Sequence, residues 1–198
     1  MIPRNLAVSV AILCSVTLGM SLYLWELRGR EAVNTLREPL PQHVAAPATG
    51  QTESITLMIA HDDGGEIHAR SLTLPVSSNQ QQRAQEILRQ LLTMYQAKGS
   101  THPITMNAEV RNVYLTQSGT AVVDVNGAFA DGQTSGVLAE ELTLVSFAQT
   151  LAMNAPNISA VKFLVDGQER ETLAGHVDIS GAFSTADASQ LAHQLTAN

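Results

Sequence analysis

The sequence is poor in the residues on which much site chemistry depends. It has a single cysteine, Cys14, in 198 residues. An intramolecular disulfide is therefore impossible, and so is a cysteine-rich metal knuckle. Aromatic residues make up only 4% of the chain, with one tryptophan. Stacking platforms for sugars or bases are correspondingly scarce. Basic residues are outnumbered, with 11 Lys and Arg against 18 Asp and Glu, for a formal net charge of -7. Three of those bases, Arg4, Arg28 and Arg30, flank one apolar run, which leaves too few for a phosphate-binding face. Nucleic acid is excluded as a partner on that ground. No G-x-S-x-G nucleophile elbow occurs anywhere.

One long run without charge is present, from Leu6 to Trp25. A helix rises about 1.5 Å per residue, so a run of this length crosses a hydrocarbon core of about 30 Å. Tyr23 and Trp25 suit the membrane–water interface, and Glu26, Arg28 and Arg30 mark the return to water. A cleaved secretory signal would end in small residues. Leu22-Tyr23-Leu24-Trp25 stands there instead, so the segment is expected to remain as a transmembrane helix. Cys14 does not read as a lipidation site, because bulky Leu13 precedes it. Residues 1–5 are expected to form a short cytoplasmic N-terminus and 6–25 the transmembrane helix. Residues 26–53 read as a flexible linker. Its stretches Glu38-Pro39-Leu40-Pro41 and Val44 to Gly50 lack apolar periodicity and cannot bury enough surface to offset ordering entropy. The flanking charges do not fix the orientation.

Residues 54–183 read as one domain, with 184–198 as a tail ending in a short helix. Ser54 to Ala60 and Ile67 to Leu74 alternate about the turn Asp62-Asp63-Gly64-Gly65, which predicts a β-hairpin. Ser78-Asn79-Gln80-Gln81 fits a capping box opening a helix with Ala84, Ile87, Leu88, Leu91 and Tyr95 on one face; Lys98 and Gly99 close it. Val110 to Leu115 and Ala121 to Val125 form a second strand pair about Ser118-Gly119. A broad-faced helix follows from about Ser135 to Asn154, carrying Leu138, Leu142, Val145 and Ala152, widened by Leu144, Phe147 and Leu151. Pro156 ends it. Ile158 to Val165, Glu169 to Leu173 and His176 to Ile179 read as extended. Ala188, Leu191, Ala192 and Leu195 suggest the tail helix. The expected fold is α/β (α+β): a ββα-ββα-ββ mixed sheet with helices packed on one face, preceded by one transmembrane helix. Val123 to Phe129 and Val177 to Phe183 echo each other at five of seven positions, which reads either as structural equivalence or as a shared strand-exit device.

The candidate sites are few. His61, Asp62, Asp63 and His68 could be read as metal ligands, but they flank a turn whose Asp-Asp-Gly-Gly is explained by turn chemistry. Glu140 and Glu141 are adjacent on a helix and do not face each other; acids in a first turn favour the helix dipole. His176 and Asp178 lack a serine on a tight turn, and Asp166-Gly167 reads as a turn. No catalytic, cofactor-binding or metal residue is assigned, and no cofactor is expected. The aromatics Tyr95, Tyr114, Phe129, Phe147, Phe163 and Phe183 mostly read as core.

Val161-Lys162-Phe163-Leu164-Val165-Asp166-Gly167, followed by Glu171-Thr172-Leu173-Ala174-Gly175-His176-Val177-Asp178, resembles the C-terminal signature of the GerMN domain family. Ala121 to Val125, the helix near Glu140-Glu141, Thr150-Leu151, Pro156 and Val161 follow in the family's order. The resemblance covers about Ile55 to Phe183. It implies a non-catalytic domain of membrane-anchored or lipid-anchored bacterial envelope proteins, with a fold like the ring-building modules of secretion-type assemblies and a link to sporulation or germination. The germination protein that names the family carries tandem copies and a lipobox; one copy and a transmembrane anchor are read here. The resemblance also sets the expected orientation, with the N-terminus inside the cell membrane and the domain outside the cytoplasm. Three functions follow as expectations. The first is binding to, or assembly with, other envelope proteins. The second is a peptidoglycan or polysaccharide-binding module. The least favoured is an envelope hydrolase.

Overall fold

A computed structural model describes residues 51–155 and 157–196, all within the compact unit Pro47–Asn198. The expected transmembrane helix at 6–25, most of the linker and Pro156 lie outside the described residues. Among the described residues, no helix is long and apolar enough to cross a membrane.

Strand β1 (Thr52–His61) pairs antiparallel with β2 (Glu66–Pro75), in register from Thr52 opposite Pro75 to His61 opposite Glu66. Ordered strand therefore begins two residues inside the stretch read as linker. Helix α1 (Gln80–Gln96) follows. Its cap is Asn79 rather than Ser78. Asn79 Oδ1 accepts from the backbone N–H of Gln81 at 2.9 Å and of Gln82 at 3.2 Å, so the helix opens one residue later than the capping-box reading. Ala84, Ile87, Leu88, Leu91 and Tyr95 are buried as expected, together with Leu92.

Strands β3 (Val110–Leu115) and β4 (Thr120–Val125) are antiparallel, with a bulge between Val110 and Asn112. Gly119 in their turn has φ +83, and a Cβ there would lie 2.7 Å from the Asn157 carbonyl oxygen. Both facts require glycine. A five-residue helix that the sequence pattern did not show, α2 (Gly127–Asp131), is capped by Asn126 and tucks Phe129 edge-on to Phe147 at 5.2 Å. Helix α3 (Val137–Asn154) starts two residues after the expected Ser135. Its buried side includes Leu142, Leu144, Val145, Phe147 and Leu151, whereas Leu138, expected inside, is exposed and lies over Gly65 of the hairpin turn.

Strand β5 (Ala160–Val165) runs parallel to β4, as a crossover through a helix allows. Strand β6 (Ala182–Ser184) pairs antiparallel with β5, and α4 (Thr185–Thr196) supplies the expected tail helix. The fold is α+β. Instead of one mixed sheet, it has a two-stranded sheet β1-β2 and a four-stranded mixed sheet in the order β3-β4-β5-β6. Glu169 to Leu173 and His176 to Ile179 do not form strands; only the isolated bridges Val165–Gln168 and Thr172–Asp178 mark the region. The sequence echo has no structural counterpart. Gly127 opens α2 and its Phe129 is fully buried, whereas Gly181 leads into β6 and Phe183 is only partly buried.

Candidate functional site

Strand edges expose backbone donors and acceptors, so the treatment of each edge limits what the domain can bind. On β1 the residues Thr56, Met58 and Ala60 turn their backbone groups away from β2, and side chains satisfy all six. Asn154 bridges Thr56, accepting from its N–H at 3.0 Å and donating to its C=O at 2.7 Å. Thr150 Oγ1 accepts from Met58 N–H at 2.9 Å, and Ser146 Oγ donates to Met58 C=O at 2.7 Å. The Tyr95 hydroxyl accepts from Ala60 N–H at 2.9 Å, and Thr101 Oγ1 donates to Ala60 C=O at 3.1 Å. Because the Ser146 proton goes to Met58, the hydroxyl bond between Tyr95 and Ser146 has Tyr95 as donor. Burial, the largest influence on Tyr95, pushes its pKa far above the usual phenol range and keeps that donor in place.

The remaining edges differ. Helix α1 covers β3: Arg89 Nε donates to Val110 C=O at 3.1 Å, and Gln85 donates to Arg111 C=O. Strand β6 has three residues. Strand β2 has ten, and its hairpin register sets Ile67, Ala69 and Ser71 opposite Ala60, Met58 and Thr56. Those β2 residues therefore aim their backbone groups outward. Among the described residues none of these groups is hydrogen-bonded by another element; Ala69, Arg70 and Ser71 are exposed, whereas Ile67 is buried and the tail helix also packs against β2.

The titratable groups behind this surface are committed to structure. His102, buried to 2%, joins three segments: its Nδ1 lies 2.5 Å from Asp62 Oδ1 and its Nε2 lies 2.8 Å from Thr143 Oγ1. Asp62 is thereby diverted from His61 and His68, whose rings meet edge-on at 4.7 Å. Among the described residues, no group of three or more His, Cys, Asp or Glu side chains could hold a metal ion.

Glu140 is fully buried. Its Oε2 accepts from the backbone N–H of Ala174, His176 and Val177 at 3.0, 3.1 and 2.9 Å, and its Oε1 lies 2.8 Å from His176 Nδ1. Burial is the largest single influence and opposes ionisation. The backbone donors and the His176 ring together outweigh it and lower the pKa to about 2. The first-turn acid of the sequence reading is thus a clamp on the loop at 173–177. Two of these N–H groups, those of His176 and Val177, lie in the expected second strand and are spent on a carboxylate rather than on a ladder, so its pairing with the preceding segment is limited to the Thr172–Asp178 bridge. Ser135 Oγ lies 3.3 Å from His176 Nδ1, the same nitrogen that Glu140 engages. A catalytic triad places acid and nucleophile on opposite ring nitrogens, so this trio is not one.

The other sequence candidates are dispersed. Asp178 accepts from Ser180 N–H at 2.8 Å, and the Ser180 bonds lower its pKa. Asp166, at φ +53, pairs with Arg111 at 2.8 Å and caps Gly127 N–H at 3.0 Å. Tyr114, read as core, is exposed. Sequence reasoning missed His102 and the stripe Thr143, Ser146, Thr150, Asn154. The available signal was hydroxyl and amide residues recurring every three or four positions along an otherwise apolar helix.

The model of the family Germane, described as sporulation and spore germination, matches residues 56–171. The chain belongs to the Germane family. The match runs from within β1 through β2, α1, β3, β4, α3 and β5, and ends at Glu171, just before the loop that Glu140 holds. No curated protein matches the chain. Among solved structures, the tandem GerMN domains of the sporulation protein GerM from Bacillus subtilis share its fold. The TM-score is 0.52 at 22% identity, covering 69% of this chain and 48% of that one, so this Germane chain spans about half the length of the tandem pair. The first GerMN domain of the same protein gives a TM-score of 0.48 at 20% identity, over 68% of this chain and 99% of that one. A candidate lipoprotein from Clostridium perfringens gives 0.47 at 19%, over 69% and 89%.

Proposed function

We propose that this Germane domain is a non-catalytic module of the cell envelope. It is held outside the cytoplasm by the helix at 6–25 and docks another envelope protein by strand addition to β2. The observation that carries this reading is the state of the sheet edges: β1 and β3 are capped by side chains, β6 is short, and β2 offers uncapped, exposed backbone groups at Ala69 and Ser71. Main-chain hydrogen bonds to such an edge supply affinity without requiring a pocket. The buried ionisable groups support a non-catalytic role. Glu140 and His102 are tied down by structural bonds, and Ser135 and Glu140 both meet the same ring nitrogen of His176.

A photo-crosslinking side chain at Ser71 in living cells tests this. The expected outcome is a protein adduct that disappears in Ala69→Pro, which removes an outward N–H. Adducts to lipid alone, or adducts unaffected by Ala69→Pro, would overturn it. Exposed Tyr114 on β3 favours cell-wall binding as a second reading, since an aromatic face can stack on sugars. Cosedimentation with purified peptidoglycan that Tyr114→Ala abolishes would support that reading, and absence of sedimentation would remove it.

A further inference from the structure

The domain is acidic overall, yet its uncommitted cations are gathered beside the open edge. Arg83, Arg111, Lys162 and Arg170 each pair with a carboxylate, and Arg89 donates to a backbone carbonyl. Among the described residues, Arg70 and Lys98 contact no carboxylate. Arg70 reaches only Met94 Sδ, at 3.9 Å. Both line one cleft of about 540 Å³, together with His61, His68, Ile59 and Met94. His68 and Arg70 belong to β2 itself and, two residues apart, project from the same side of the strand. Lys98 follows the carbonyl end of α1, whose partial negative charge favours an ammonium there.

We infer that the strand added to β2 is an acidic segment of another protein, with Asp or Glu at alternate positions facing Arg70 and Lys98. Two independent features converge on this partner. The outward backbone groups of exposed Ala69 and Ser71 suit an extended main chain, and Arg70 and Lys98, which line one cleft and contact no carboxylate among the described residues, suit carboxylates on the cleft-facing side of that chain. Glu66 already engages His68 at 2.8 Å, so the uncompensated charge is that of Arg70 and Lys98. The inference rests on the edge-docking reading above and specifies the chemistry of its partner. A second copy of this chain is disfavoured by charge, since each copy carries -7.

The test uses the full chain and short fluorescent peptides of alternating Val and Glu, or alternating Val and Lys, read by anisotropy at low salt. The Val/Glu peptide is expected to bind at least about tenfold tighter, and Arg70→Glu with Lys98→Glu should reverse the order. Methylating alternate backbone nitrogens of the peptide should abolish binding while leaving the protein untouched. Equal binding of both unmodified peptides, lost on methylation, would overturn the acidic partner and leave edge docking standing. Binding that ignores methylation, or no binding by either peptide, would overturn both. Self-association of the full chain that Ala69→Pro removes would assign the edge to a second copy and overturn the acidic segment.

Discussion

Glu140 shows how one side chain can decide a local conformation. Its carboxylate accepts from three backbone N–H groups of one loop, Ala174, His176 and Val177, and removing it leaves those part-buried donors without an acceptor. Glu140→Ala is expected to cost about 3 kcal/mol in urea unfolding, with a smaller loss for Glu140→Gln, which retains one acceptor oxygen. The carboxylate's pKa falls from 4.5 to about 2 on folding. A lowered folded pKa contributes stability above the unfolded value, and that contribution is lost as pH falls from about 4.5 towards 2. The slope of stability against pH in that window should therefore flatten in Glu140→Gln. An unchanged slope would show that other carboxylates carry the acid sensitivity. At Gly119, alanine would meet the Asn157 carbonyl and a left-handed backbone together. Gly119→Ala should lower stability by about 1–3 kcal/mol, read from thermal melts.

At the scale of elements, α3 acts as a surrogate strand for β1. Thr143, Ser146, Thr150 and Asn154 run along one stripe, and the last three meet backbone groups of β1. Asn154→Ala should free both Thr56 groups and cost about 2 kcal/mol. It should also raise amide exchange at Thr56 more than at Ala60, which Tyr95 and Thr101 hold independently. Uniform exchange along β1 would argue against separate caps. Tyr95→Phe should act at the other end, destabilising by about 1–3 kcal/mol through the unpaired Ala60 N–H and the Ser146 oxygen. The hairpin, α1, α3 and β5 were legible because each has a period that burial imposes. The stripe was not legible as a cap, because hydroxyls on a helix say nothing of what stands opposite. The short helix α2 was missed for a similar reason: five residues hold little more than one turn, too few to show a period.

For the whole molecule, the chain belongs to the Germane family, whose description is sporulation and spore germination. Orientation is the prediction at this scale. A reporter fused after Asn198 should be active only outside the cytoplasm, and cytoplasmic activity would overturn the proposed localisation while leaving the fold intact. The sequence by itself determined the hairpin, the two long helices, the β3-β4 pair, β5 and the tail helix, in their order. An uncharged run, an alternating hairpin and two helical stripes are local patterns set by the period of the backbone. The single cysteine likewise excluded an intramolecular disulfide without any structure. Only the tertiary structure decided that the sheet is split, that Glu140 takes the backbone donors of Ala174, His176 and Val177, and that Ala69 and Ser71 of β2 are left uncapped beside Arg70 and Lys98. Those facts depend on which groups meet across distances of 30 residues and more, and hydrogen-bond partnership at that range leaves no periodic trace in the chain.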